Sequence, residues 1–105
     1  MPSAKRRFGD IGEKIAEKYL TEKNYVILDR NYRKNYGEID IIAKKEDLLV
    51  FVEVKTRDAK HTKNFLPEQS VNSKKRRKIQ KVCQVYLLEN RYNITQEWQI
   101  DIIAI

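Results

Sequence analysis

Apolar positions recur along this chain with two periods, one helical and one extended. Ile11, Ile15, Ala16, Tyr19 and Leu20 follow helical spacing, so residues 11–23 read as an amphipathic helix. Asp10 stands where an N-cap belongs, and Glu13 would complete a capping box with it. Tyr25-Val26-Ile27-Leu28 reads as a first strand that ends at Asp29-Arg30-Asn31, and Tyr32 to Tyr36 reads as a polar connection closed by Gly37. Ile39 to Ala43 and Leu48 to Val54 are nearly continuous apolar runs around the polar turn Lys44-Lys45-Glu46-Asp47. Such runs suit a hairpin buried on both faces, in the middle of a sheet with helices packed against it. A polar loop follows over residues 57–69. Residues 70–90 then form a second helix, with Val71, Ile79, Val82, Cys83, Tyr86 and Leu87 on one stripe, and residues 99–105 a last strand. The order of helix, three strands, helix and strand is that of a small α/β domain.

Two carboxylates interrupt the apolar hairpin. Asp40 and Glu53 each stand in a strand otherwise fit for burial, and a buried carboxylate is costly unless paired, hydrogen-bonded or metal-bound. A two-residue turn at Glu46 and Asp47 sets Asp40 opposite Glu53 on one face, with Cβ atoms about 4.5–5.5 Å apart. The same register sets Lys55 opposite Glu38 on that face. Adjacent carboxylates repel unless a positive charge lies between them, and Mg²⁺ or Mn²⁺ fits that place. Lys55 beside such an ion would hold a water or steady a phosphate, the minimum for metal-assisted phosphodiester hydrolysis. A structural ion-pair cluster of Glu38, Asp40, Glu53 and Lys55 accounts for the same spacing.

Composition narrows the partners. The 105 residues hold 41% hydrophobic and 35% charged residues, enough apolar matter for one domain spanning residues 1–105. Lys and Arg number 22 against 15 Asp and Glu, a net charge of +7 that points to an anionic partner, nucleic acid first. No apolar run is long enough to span a membrane, and the basic start, Met1 to Asp10, lacks the apolar segment of a secretory signal. A lone cysteine, Cys83, excludes an internal disulfide and reads as a small core residue. A cytoplasmic protein is expected, with some of the native C-terminus lying beyond Ile105. Lys74, Lys75, Arg76, Arg77 and Lys78 crowd the start of the second helix, the end where the macrodipole disfavours positive charge. A bound phosphate backbone explains that better than local stability does, with Arg57, Lys60 and Lys5 to Arg7 as further contacts. An ordinary solvated face is the plainer reading. Tyr32 and Tyr36 suit base stacking or, more simply, packing, and Trp98 a place at the core edge.

The segments Gly37-Glu38-Ile39-Asp40 and Phe51-Val52-Glu53-Val54-Lys55-Thr56-Arg57 resemble those of the YraN-type family of small uncharacterised bacterial proteins. Gly12-Glu13, Ala16, Tyr19-Leu20, Asn31 and Lys74 match it as well. That family in turn resembles the restriction-endonuclease-like nucleases with the PD-(D/E)xK motif, archaeal Holliday-junction resolvases among them. The resemblance implies a single αβββαβ domain, a central mixed sheet flanked by helices. It makes Asp40 the motif aspartate and Glu53-Val54-Lys55 the (D/E)xK element, with Glu13 as a third acidic residue at the metal. Ile39 departs from the superfamily's proline. Gln99-Ile100-Asp101 stands where the family shows Arg-Phe-Asp, so any role of that arginine is lost.

The resulting expectation is a Mg²⁺- or Mn²⁺-dependent nuclease acting on DNA, including branched or structured DNA. Asp40, Glu53, Lys55 and Glu13 would be its catalytic set, and Asp40, Glu53 and Glu13 its metal ligands. Two alternatives stand beside it: a catalytically inactive nucleic-acid-binding module of the same fold, and a protein-interaction factor using the basic face. Dimerisation is left open, since no seam stands out.

Overall fold

Two strands that are apolar on both faces can satisfy their side chains only at the centre of a layered sheet, and that is where they lie. The computed structural model describes residues 4–56 and 73–105, with side chains described at 10–56 and 74–105. In chain order the elements are α1 (Ala4–Glu22), β1 (Val26–Lys34), β2 (Gly37–Lys45), β3 (Leu48–Lys55), α2 (Ser73–Glu89) and β4 (Trp98–Ala104). The strands lie in the order β1-β2-β3-β4, antiparallel from β1 to β3, with β4 parallel to β3. A parallel neighbour requires a crossover, and α2 lies on that connection. The α/β class and the αβββαβ order are thus as expected. None of the described helices is long and apolar enough to cross a membrane.

Each face of the central hairpin carries one helix. Val82, Cys83 and Tyr86 of α2 pack on Ile39, Ile42, Leu49 and Phe51, while Ala16 and Leu20 of α1 pack on Ile41, Ala43, Val50 and Val52. Phe51 is fully buried, its ring edge-on to Tyr86 and Trp98 at 5.7 and 5.6 Å. Truncating so enclosed an aromatic to alanine costs about 3–5 kcal/mol. Cys83 is a core residue, its thiol pushed up to about 12 by burial, which leaves it inert. Tyr32 and Tyr36 both pack against this core.

Two expectations need correction. The first helix begins at Ala4, so Asp10 lies within it and the capping box with Glu13 does not form. Ala4 to Arg7 are good helix formers and carry the helix upstream. β1 does not end at Asp29-Arg30-Asn31 but runs to Lys34, into the expected connection, because β2 starts at Gly37 and pairs with it there. At the other end, α2 begins at Ser73, and the helix expected from Ser70 falls partly outside the described residues, as does the loop of residues 57–69.

The two-residue turn at Glu46 and Asp47 forms as expected, with Glu46 at a left-handed φ of 55°. It sets Lys45 opposite Leu48 and carries the ladder through Ile41 opposite Val52. Beyond that rung β2 changes face. Ile39 packs with α2 and Ile41 with α1, although a regular pleat puts residues two apart on one side. The change is matched in β1, where Arg30 bonds Glu17 of α1 while the ring of Tyr32 meets Tyr86 of α2. Asn31, between them, has φ 52°, a region Asn enters more readily than most residues. The register passes from Arg30 opposite Ile41 to Tyr32 opposite Ile39, with no pair at Asn31 and Asp40.

α1 is held close to this point by Gly12. A Cβ at Gly12 would lie 2.5 Å from Thr56 Cγ2 and 2.9 Å from its Oγ1. Replacing glycine by alanine in an open helix adds about 1 kcal/mol of stability. Here Gly12→Ala is expected to lower the Tm instead, and adding Thr56→Ala to recover most of the loss. Thermal unfolding followed by circular dichroism checks this, and a Gly12→Ala protein that melts above wild type would contradict the packing.

Candidate functional site

The site forms where β2 leaves the regular ladder. Oδ2 of Asp40 accepts a hydrogen bond from the Val54 amide at 2.7 Å, so a side chain takes a donor that would otherwise serve the facing backbone. Burial raises the Asp40 carboxyl above its ordinary value. The Val54 amide opposes that shift, while the charges of Glu38 and Glu53 add to it.

On the α2 side, Glu53 is mostly enclosed, its side chain 17% exposed. Its Oε1 meets the ammonium of Lys55 at 3.0 Å and that of Lys75 at 3.9 Å. Its Oε2 is buried and has no hydrogen-bond partner among the described residues. Burial works to lower the Lys55 ammonium, but the hydrogen bond and charge of Glu53 outweigh it, and the net shift is upward. Lys75 shifts down, through burial and the nearby charge of Lys55. A negative oxygen buried without a donor is costly, and a cation relieves that cost.

The α1 side holds a second group of carboxylates. With its nitrogen turned toward them, the Asn31 amide donates to Glu13 Oε1 at 3.0 Å and to Glu38 Oε1 at 3.2 Å. Glu38 also accepts from Arg33 at 3.2 Å. The expected pairing of Lys55 with Glu38 therefore does not occur: the change of face at Asp40 sends Glu38 toward Arg33 and Asn31, and Lys55 turns to Glu53 on its own strand. Asn31 joins the site only in the structure. Its signal in the sequence is weak, an asparagine set inside what proves to be a strand.

Lys74, Lys75, Arg76, Arg77 and Lys78 are all exposed on the opening turns of α2, and Lys75 reaches the site itself. Arg57, Lys60 and Lys5 to Arg7, the other expected phosphate contacts, lie outside the residues whose side chains are described. Gln99 donates to both carboxylate oxygens of Asp101, at 3.1 and 2.9 Å. Among the described residues, no three His, Cys, Asp or Glu side chains gather at metal-binding spacing. A divalent ion here would thus take its protein ligands from Asp40 and Glu53 and fill its shell with water and phosphate oxygens, as Mg²⁺ commonly does. The unpartnered Oε2 of Glu53 fits such an ion, whereas Glu13 is engaged with Asn31.

Residues 12–105 match the model of the uncharacterised protein family UPF0102. The chain belongs to that family. It is the YraN-type family that the GEID and FVEVKTR segments resemble. A UPF0102 protein of Clostridioides difficile is 51% identical over 87 residues, covering 83% of this chain and 75% of its own. One from Alkaliphilus oremlandii is 46% identical over 102 residues, covering 95% and 85%. Another, from Chloroflexus aurantiacus, is 37% identical over 105 residues, covering 100% and 83%. The UPF0102 match begins at Gly12, the residue that lets α1 approach β3.

Because its folded value is raised, the Asp40 carboxyl holds its proton more tightly in the folded chain than in the unfolded one. Its contribution is most favourable below the ordinary carboxylate range and is lost as the pH rises through the raised value. At neutral pH the ionised group is therefore a cost. Asp40→Asn keeps an oxygen for the Val54 amide and is expected to be at least as stable as wild type at neutral pH without divalent metal. Asp40→Ala removes that acceptor and is expected to lose about 1–2 kcal/mol. Urea unfolding of the three proteins at acid and neutral pH checks this. An Asn variant no more stable than the Ala variant would contradict it.

Proposed function

We propose that this UPF0102 protein is a metal-dependent nuclease acting on DNA. One observation carries the reading: Glu53, beside the half-buried Asp40, has one oxygen held by Lys55 and the other buried without a donor among the described residues. Asp40 and Glu53 would hold Mg²⁺ or Mn²⁺. When bound, such an ion supplies a polarised phosphoryl oxygen and a water of lowered pKa. Lys55, kept charged by Glu53, faces the negative charge that builds on the phosphate during hydrolysis. The Val54 amide fixes the Asp40 carboxylate against β3, and the Glu53 side chain aligns Lys55. Lys74 to Lys78 hold the flanking phosphates, contacts that position the strand without reading its bases.

A second reading has its own support. Lys55 and Lys75 both lie on Glu53, so the carboxylate already has cations beside it, as a nucleic-acid-binding domain without turnover would allow.

The two readings part in a cleavage assay on plasmid, single-stranded, flap and four-way-junction DNA with Mg²⁺ or Mn²⁺. The nuclease reading expects cutting that Asp40→Asn and Glu53→Gln abolish and that Lys55→Ala slows by about 100-fold or more. Mn²⁺ should also raise the Tm of wild type and leave that of Glu53→Gln unchanged. Equal residual cutting by wild type and Asp40→Asn would mean contamination and remove the catalytic claim. If six phosphates are neutralised, log K falls with log[salt] at a slope of about −5 in either reading.

A further inference from the structure

A cavity of about 290 Å³ opens beside Glu53, between the first turns of α2 and the edge strand β4. Its walls are Ile79, Ile100 and Ile102, with Arg76 and Gln80 at the rim and Glu53 at one end. Ile79 and Ile100 are half-buried and belong to the α2-side core, while Ile102 is 42% exposed. The slot is therefore apolar where a flat ring would lie and polar where hydrogen-bonding edges would end. Its mouth adjoins the most basic turns of the described chain, Lys74 to Lys78.

That combination matches one nucleotide, with its phosphates on the basic turns and its base between isoleucines. Small-molecule clefts run from roughly 300 to 1,000 Å³, so the slot admits a single ring system and excludes a base pair. A base inside a duplex is stacked and paired and cannot enter. Enzymes that handle a base outside the stack hold it between apolar side chains and bond its edge, which the isoleucines and Gln80 at the rim are placed to do.

We propose that this cavity takes one unstacked nucleobase of the strand whose phosphate lies at Glu53 and Lys55, so that the substrate is single-stranded or locally unpaired nucleic acid. The proposal rests on the nuclease reading and sets its substrate class. Isoleucine walls favour any base alike, so the selection is for an unpaired state and not for a sequence.

The test compares two strands of equal phosphate number, an oligothymidylate and an abasic strand of the same length, by fluorescence anisotropy at low salt in EDTA. The thymidine strand should bind about 5- to 100-fold more tightly, the range that stacking of one base supplies. Ile102→Trp fills the slot from an exposed position and should erase that difference while leaving the abasic strand's affinity unchanged. Ile102→Ala, which only removes wall, should shrink it. Equal wild-type affinities, or a difference that survives Ile102→Trp, would overturn the cavity's role and leave the nuclease reading standing. Binding to neither strand would overturn both.

Discussion

A single hydrogen bond, from the Val54 amide to the carboxylate of Asp40, ties the sheet to its candidate chemistry. The central hairpin is buried on both faces, so each of its backbone donors needs a partner. At the rung after Ile41 and Val52 that partner is a side chain. β2 turns over there, Ile39 joins the core under α2, and Ile41 stays under α1. The turn-over leaves a carboxylate half-buried at the sheet's centre, where its charge is costly unless a cation shares the site. Stability and proposed function thus pull in opposite directions at Asp40, a common pattern at working sites.

The change of face also sorts the charges. Glu13 and Glu38 meet on the α1 side through Asn31, with Arg33 beside them, while Glu53 meets Lys55 and Lys75 on the α2 side. Asp40 lies between the two groups and feels the charges of both Glu38 and Glu53. A net charge of +7 spread evenly would only attract phosphate. The five consecutive cations on the opening turns of α2, Lys74 to Lys78 next to Glu53, bring phosphate toward the one buried carboxylate oxygen that has no donor among the described residues.

Much of this was legible in the sequence, because hydropathy encodes layers well. The continuous apolar runs gave the central hairpin, its two-residue turn and its two covering helices, and the stripe of α2 placed Cys83 in the core. Interrupting acids gave Asp40 and Glu53. What stayed hidden depends on single dihedral angles and on length. A left-handed Asn31 reverses the face of β1, and with it the partners of Glu38 and Lys55, yet no periodicity reports one φ angle. The upstream start of α1 was hidden too, since its first turns carry polar helix formers and no apolar stripe, and Glu13, expected as a cap or as a third acidic residue at the metal, stands beside Asn31.

The central claim is that Asp40 and Glu53 share a divalent cation. Anomalous scattering from a crystal soaked in Mn²⁺ tests it most directly. A manganese peak bonded to both carboxylates, Glu53 Oε2 among the ligands, is the predicted result. At saturating Mn²⁺, a map with no peak there and the ammonium of Lys55 or Lys75 on both oxygens of Glu53 would contradict it.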